Sequence, residues 1–217
     1  IETMGGVVSK IIHRNSTIPA SATEQYTTAV DGQRNVLIHV LQGEREMVKD
    51  CRSLARFDLK DIDPMPAGYA RIDVKFLIDA NGILNVTAKD VRTGKEQSVE
   101  VKPSYGLTDE QVEAMILASI EHAEADIRER QVREARVEAD RILASVERAK
   151  QNDAWFNLSG EEQQLVTLAI NQLLLVYHGD DHHLILAQME NLDKATLSLA
   201  ENMMNTAVRG ALKGTKI

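Results

Sequence analysis

At 217 residues with a formal net charge of -8, the chain lacks the basic excess that a nucleic-acid-binding face requires against phosphates. No apolar run approaches the roughly 20 residues of a membrane-spanning helix. The one cysteine, Cys51, excludes an intrachain disulfide and points to a reducing compartment. Aromatic residues make up only 4%, low for an enzyme pocket or a base-stacking platform, so the composition suits an interaction module.

From Ile1 to about Tyr105 the sequence reads as strands and turns. The chain opens IETMGGVVSKII and reads as a piece of something longer. Gly5 and Gly6 stand at the very start of a β-rich stretch, where glycine adds no packing and costs backbone entropy. The pair implies a sharp bend or the close approach of another backbone. Strands are expected at Val7 to Ile12, around Gln25 to Ala29, at Asn35 to Leu41, Arg71 to Ile78, Ile83 to Asp90 and Ser98 to Lys102. Each carries β-branched residues in partial period-two alternation. Asp31-Gly32, Asn81-Gly82 and Thr93-Gly94 separate neighbouring runs at hairpin distance. Pro19, Pro64, Pro66 and Gly68 fall between runs. Short strands at this rhythm predict an antiparallel β-sandwich.

After Gly106 the pattern becomes helical. Thr108 is placed as an N-cap, with Gln111 three residues on as in a capping box. Val112, Met115, Ile116, Ile120, Ala123 and Ile127 recur at helical spacing, and a charged stretch from Glu121 to Arg141 leads to Ile142, Leu143, Val146 and Ala149. One long helix is expected, buried at both ends and more solvated in the middle. Asn152-Asp153 breaks it. Ser159 with Glu162 opens a further helix reaching about Tyr177, and Leu184, Leu186, Met189, Leu192 and Leu197 belong to the last helices. The expected architecture is α+β: a β-sandwich over 1–105, then a helical bundle over 106–217.

The HGDDHH stretch, His178 to His183, has metal-binding residue types. Its punctuation favours Gly179 as the residue after a helix end and Asp180 or Asp181 as the next N-cap, so no metal ligand is assigned. A single thiol, Cys51, cannot hold an iron–sulfur cluster. No Ser-His-Asp order, phosphate loop or carboxylate pair stands out, and the chain is expected not to be an enzyme.

The stretches IETMGGV, NSTIP, IHVLQGERE, SLARFDL, FLIDANGILNVTAKD, TGKEQS and GLTDEQV follow one another in order. Together they resemble the substrate-binding half of the DnaK-type seventy-kilodalton heat-shock chaperones. The resemblance implies a β-sandwich that clamps an extended peptide and is closed by a helical lid. Ile1, Thr3 and Met4 would form one wall, Tyr26, Thr27 and Ala29 the facing loop, and Val36, Ile38 and Ile72 the floor. Met4 and Ala29 would meet as an arch, and Arg45 and Asp126 would pair to hold the lid. Tyr26 stands where the family usually has phenylalanine. The usual arginine partner of Asp140 is replaced by Ala67, and a lid histidine by Ala144, which implies a looser lid. No cofactor is expected in this stretch, ATP and magnesium being implied for the full-length protein.

DCRSLARF, VKPSYGLT and VRGALKG further resemble the bacterial branch of that family devoted to iron–sulfur cluster assembly. That implies the scaffold protein IscU as client, bound through a Leu-Pro-Pro-Val-Lys segment. It also implies HscB as co-chaperone and a cytoplasmic setting, with neither nucleic acid nor membrane as partner. Two alternatives are the same fold with broad unfolded-peptide clients, and a metal-binding protein using the His-rich turn.

Overall fold

The computed structural model describes residues 1–101 and 107–214. These form an α+β protein of antiparallel strands followed by helices, in two compact units, Ile1–Ile127 and Arg128–Ile217. The expected boundary between 105 and 106 lies outside the described residues.

In the first unit, β1 (Glu2–Thr3) pairs with β2 (Val7–Val8). A four-stranded sheet runs in the order β3 (Ala20–Tyr26), β6 (Ile72–Ile78), β7 (Leu84–Asp90), β8 (Glu96–Val101), and β4 (Val36–Gln42) pairs with β5 (Arg52–Leu59). Alternate residues of both sheets enter one apolar core: Ile38, Val40 and Leu59 from one, Ile72, Val74, Phe76, Leu84, Val86 and Ala88 from the other. Each fully buried aliphatic side chain contributes about 1.5–3 kcal/mol. The turn at Asn81-Gly82 joins β6 to β7 as expected, and Asp79 Oδ1 accepts from the amides of Asn81 and Ile83 at 2.8 and 2.9 Å. Asp90 closes the β7–β8 hairpin, accepting from the Arg92 amide at 2.9 Å and the Thr93 hydroxyl at 2.8 Å.

Four strand expectations are corrected. Asp31-Gly32 is not a hairpin turn, because β3 pairs with β6 while β4 pairs with β5. The turn is tied to a later loop instead: the Gly32 amide donates to Met65 O, and the Ala67 amide to Asp31 Oδ1. β2 ends at Val8, because Ile11 and Ile12 leave strand geometry to pack against the core from a loop. β3 runs from Ala20 to Tyr26, matched residue for residue to β6 from Ile78 back to Ile72. β5 was not expected at all. RSLARFDL carries charges without clean apolar alternation, and only its pairing to β4 makes it a strand.

The predicted long helix is two, α1 (Asp109–Glu121) and α2 (Ala123–Ala149), broken at His122. Thr108 and Gln111 form the expected capping box. Contrary to expectation, α1 has no buried residue, while the charged middle of α2 buries Val132, Ala135 and Ala139. Charges on the remaining faces pair along the helix, Arg130 with Glu134 at 2.8 Å and Arg133 with Glu129 at 2.7 Å. They mask a stripe of small residues that hydropathy alone does not reveal.

In the second unit, α3 (Asp153–Phe156), α4 (Gly160–Tyr177), α5 (His182–Ala195) and α6 (Leu197–Gly214) follow. Val166, Ala169, Ile170 and Leu173 of α4 pack with Val132, Ala135 and Ala139 of α2 and Ile185, Met189 and Leu192 of α5. The Ser159–Glu162 capping box opens α4. Its end is held by Arg136, which donates to the carbonyls of Tyr177, His178 and Gly179 at 2.9, 3.2 and 3.1 Å. Leu173→Ala is expected to destabilise the chain by about 2–5 kcal/mol, since Leu173 is fully buried. Leu175→Ala, two residues on and 83% exposed, should stay within about 0.5 kcal/mol. Urea unfolding of the two variants checks the difference.

Candidate functional site

Met4, Gly5 and Gly6 turn the chain from β1 into β2, with Thr3 opposite Val7 and Glu2 opposite Val8. Gly5 and Gly6 have φ of 83° and 69°, a left-handed conformation that side chains other than glycine's adopt only at a cost. The turn is pinned from several sides. The Gly6 amide donates to Thr3 O at 3.2 Å, the Val48 amide to Gly6 O at 3.0 Å, and the Thr3 hydroxyl to Val7 O at 3.1 Å. Val7 also bridges to Met47, itself 1% exposed. Met4 is left 44% exposed on a fixed loop.

Of the other residues expected here, Ile1, Ile38 and Ile72 lie in the shared core, with Tyr26 and Val36 packed against it. Tyr26 is the register partner of Ile72, and its hydroxyl meets Ser9 Oγ at 3.2 Å. Burial raises the Tyr26 pKa, so the phenol stays neutral and able to donate. Thr27 is exposed. Ala29 is half-buried, and its amide donates to Gln33 Oε1 at 2.9 Å. The structure thus brings Ile1, Tyr26, Val36, Ile38 and Ile72 into one cluster and leaves Thr3, Met4, Thr27 and Ala29 outside it.

Arg45, in the loop after β4, and Asp126, in the first turn of α2, form a two-pronged ion pair. Arg45 Nε and Nη2 donate to Asp126 Oδ2 and Oδ1 at 2.5 and 2.8 Å. Asp126 is 4% exposed and also accepts from the Glu46 amide at 3.4 Å. Hydrogen bonding to Arg45 holds the Asp126 carboxyl below the ordinary carboxylate range, and the same bonding raises Arg45. A cavity of about 320 Å³ lies elsewhere in this unit. Ile11, Leu54, Phe76, Ile78, Met115 and Ile116 line it, and of the expected residues only Ile1 does.

Sequence reasoning passed over His39, Glu2, Ser53 and Ser9. A histidine inside the apolar run VLIHVL was the available signal for the first. At HGDDHH, Asp181 caps α5, accepting from the amides of His183 and Leu184 at 2.9 and 3.3 Å, and Gly179 follows the last residue of α4 by two. Among the described residues no group of three or more His, Cys, Asp or Glu is placed to hold a metal ion, and no helix is long and apolar enough to cross a membrane.

A chain of this kind, with a pinned glycine turn on an antiparallel core and a capped helical unit, matches the Hsp70 protein family over residues 1–205. The chain belongs to that family. It is 49% identical over all 217 residues to the chaperone protein HscA homolog of Tolumonas auensis, 47% to that of Cupriavidus necator, and 48% to chaperone protein HscA of an Enterobacter species. The chain spans 35% of the length of each.

Two expectations are corrected by these matches. The chain was expected not to be an enzyme and to have no cofactor of its own. The match to the Hsp70 protein family over residues 1–205, with chaperone relatives of which the chain spans 35%, overturns both as statements about this chain. Among the described residues no site built for ATP and magnesium stands out. Among them no group of three or more His, Cys, Asp or Glu stands together as an all-protein metal cage. The helix N-termini of α1, α3, α4 and α5, where backbone N–H groups could cradle phosphates, are occupied by the side chains of Thr108, Asn152, Ser159 and Asp181.

Because the folded pKa of Asp126 lies below its unfolded value of about 3.9, the pair's stabilisation is fully present above that value. It fades as pH falls through the depressed one. Asp126→Asn is therefore expected to cost about 1–3 kcal/mol at neutral pH. The gap between variant and parent should shrink steadily below about pH 4, as measured by urea unfolding across pH.

Proposed function

We propose that the first unit grips an extended peptide as the substrate-binding part of an HscA-like chaperone. The observation that carries this is Met4, 44% exposed on a turn that the Gly6 amide on Thr3 O and the Val48 amide on Gly6 O hold in place. A flexible thioether on a rigid loop adapts to varied guests without collapsing into the core. β3 is an edge strand of its sheet, and edges offer main-chain groups to which an extended peptide can pair. On this reading the two sheets act as a sandwich. Thr3, Met4, Tyr26, Thr27 and Ala29 border the groove, with Met4 and Ala29 arching over the guest, while Ile1, Val36, Ile38 and Ile72 back it. Arg45 and Asp126 latch a helical lid.

The magnitudes suit a reversible grip. One buried leucine gives about 1.5–3 kcal/mol, and each of roughly four or five main-chain hydrogen bonds about 1 kcal/mol. A total near 6–8 kcal/mol, before ordering costs, corresponds to micromolar affinity at best. Similarity to proteins named HscA over the whole chain favours a client from iron–sulfur cluster assembly. We assign IscU, through its Leu-Pro-Pro-Val-Lys segment, with HscB as co-chaperone of the full-length protein in the bacterial cytoplasm.

Fluorescence anisotropy with a labelled Leu-Pro-Pro-Val-Lys peptide tests the reading. Saturable micromolar binding is expected, weakened about tenfold by Met4→Ala. Absence of saturable binding, or an unchanged Met4→Ala variant, would contradict it. Selectivity below about threefold over generic leucine-rich peptides would favour a broad clientele over IscU.

A further inference from the structure

His39 lies in β4 between Ile38 and Val40, which face the shared core. Side chains alternate along a strand, so His39 points to the other side of the sheet. It is nevertheless only 2% exposed. Its Nδ1 lies 2.6 Å from Glu2 Oε2, and its Nε2 2.8 Å from Ser53 Oγ on β5. An ionised carboxylate only accepts, so Nδ1 carries the hydrogen given to Glu2. Nε2 then faces a hydroxyl that can either donate or accept. A buried ring engaged at both nitrogens holds one orientation, and the Glu2 carboxylate is fastened to it.

Glu2 stands two residues before Met4. β1 has two residues of pairing with β2, a ribbon marginal by itself; Ile1 in the core and the Val8 amide on Glu46 O hold its two ends, and Glu2 is the side chain that ties its middle to β4. We propose that Glu2, tied to His39, is a positioning residue that sets the Thr3–Met4 edge against β4–β5. It thereby determines how long a bound peptide is held. This rests on the peptide-binding reading above and adds a residue that acts without touching the guest. The Glu2 side chain is 37% exposed while that of His39 is 3% exposed, so trimming Glu2 cuts the tie without opening the core.

The test uses the 217-residue chain and the labelled Leu-Pro-Pro-Val-Lys peptide. Glu2→Ala is expected to weaken binding about tenfold, chiefly through faster dissociation, measured at a temperature where the variant is fully folded, since the orphaned His39 Nδ1–H also lowers the melting temperature by several degrees. Glu2→Gln keeps an acceptor for the Nδ1–H and should restore affinity to within about twofold of the parent. Comparing dissociation rates of variants that are all fully folded at the measuring temperature separates positioning from loss of fold. Hydrogen exchange of the amides in residues 2–6 reads the tie without any peptide, and it should quicken in Glu2→Ala and recover in Glu2→Gln. Parent-like binding by Glu2→Ala, or a Glu2→Gln variant as weak as Glu2→Ala, would overturn the proposal. If the parent itself fails to bind, the peptide-binding reading falls; unchanged exchange in Glu2→Ala would overturn the tie separately.

Discussion

β4 and β5 form a sheet of only two strands, and such a ribbon is marginal in water without a partner surface. It persists because Ile38, Val40 and Leu59 share one dry core with Ile72, Val74, Phe76, Leu84, Val86 and Ala88 of the four-stranded sheet. The shared core is the constraint on which the rest of the first unit depends. It makes strands of segments with poor strand character, RSLARFDL above all. It also seals Ile38 and Ile72 at 2% and 0% exposure.

The two-residue pair β1–β2 is anchored to that core by Ile1 and by the burial of Val7 and Val8, and polar contacts hold its turn further. The Thr3 hydroxyl on Val7 O closes the turn from within, while the Val48 amide on Gly6 O, the Val8 amide on Glu46 O and the Glu2 carboxylate on buried His39 tie it to the neighbouring chain. The two glycines are the local concession, since φ of 83° and 69° would strain most side chains. They leave one adaptable side chain, Met4, 44% exposed on the turn. Nearby, the Arg45–Asp126 pair ties the loop after β4 to the first turn of α2, where a carboxylate is also favoured by the helix N-terminus.

Much of this was readable from residue order where local chemistry and tertiary demand agree. β4, β6 and β7 follow their β-branched alternation nearly to the residue, and Thr108–Gln111 and Ser159–Glu162 cap helices where their spacing says. The failures come where tertiary pairing decides. Nothing local in Asp31-Gly32 tells that β3 and β4 part to different sheets, and in the charged middle of α2 the apolar seam is only Val132, Ala135 and Ala139 beneath paired charges. The candidate site was legible only in part. Met4 and the glycines announced themselves, but the tie through His39 requires knowing that the back of β4 is covered by β1, a fact of packing with no period in the sequence.

Methyl NMR of the 217-residue chain titrated with the Leu-Pro-Pro-Val-Lys peptide tests most directly whether the pinned turn and the core behind it form the binding edge. Saturable shifts are expected at the Met4 methyl, the Thr3 and Thr27 methyls and the Ala29 methyl, with smaller ones at Ile38 and Ile72. Shifts confined to Ile11, Met115 and Ile116, which line the separate cavity, would contradict the account.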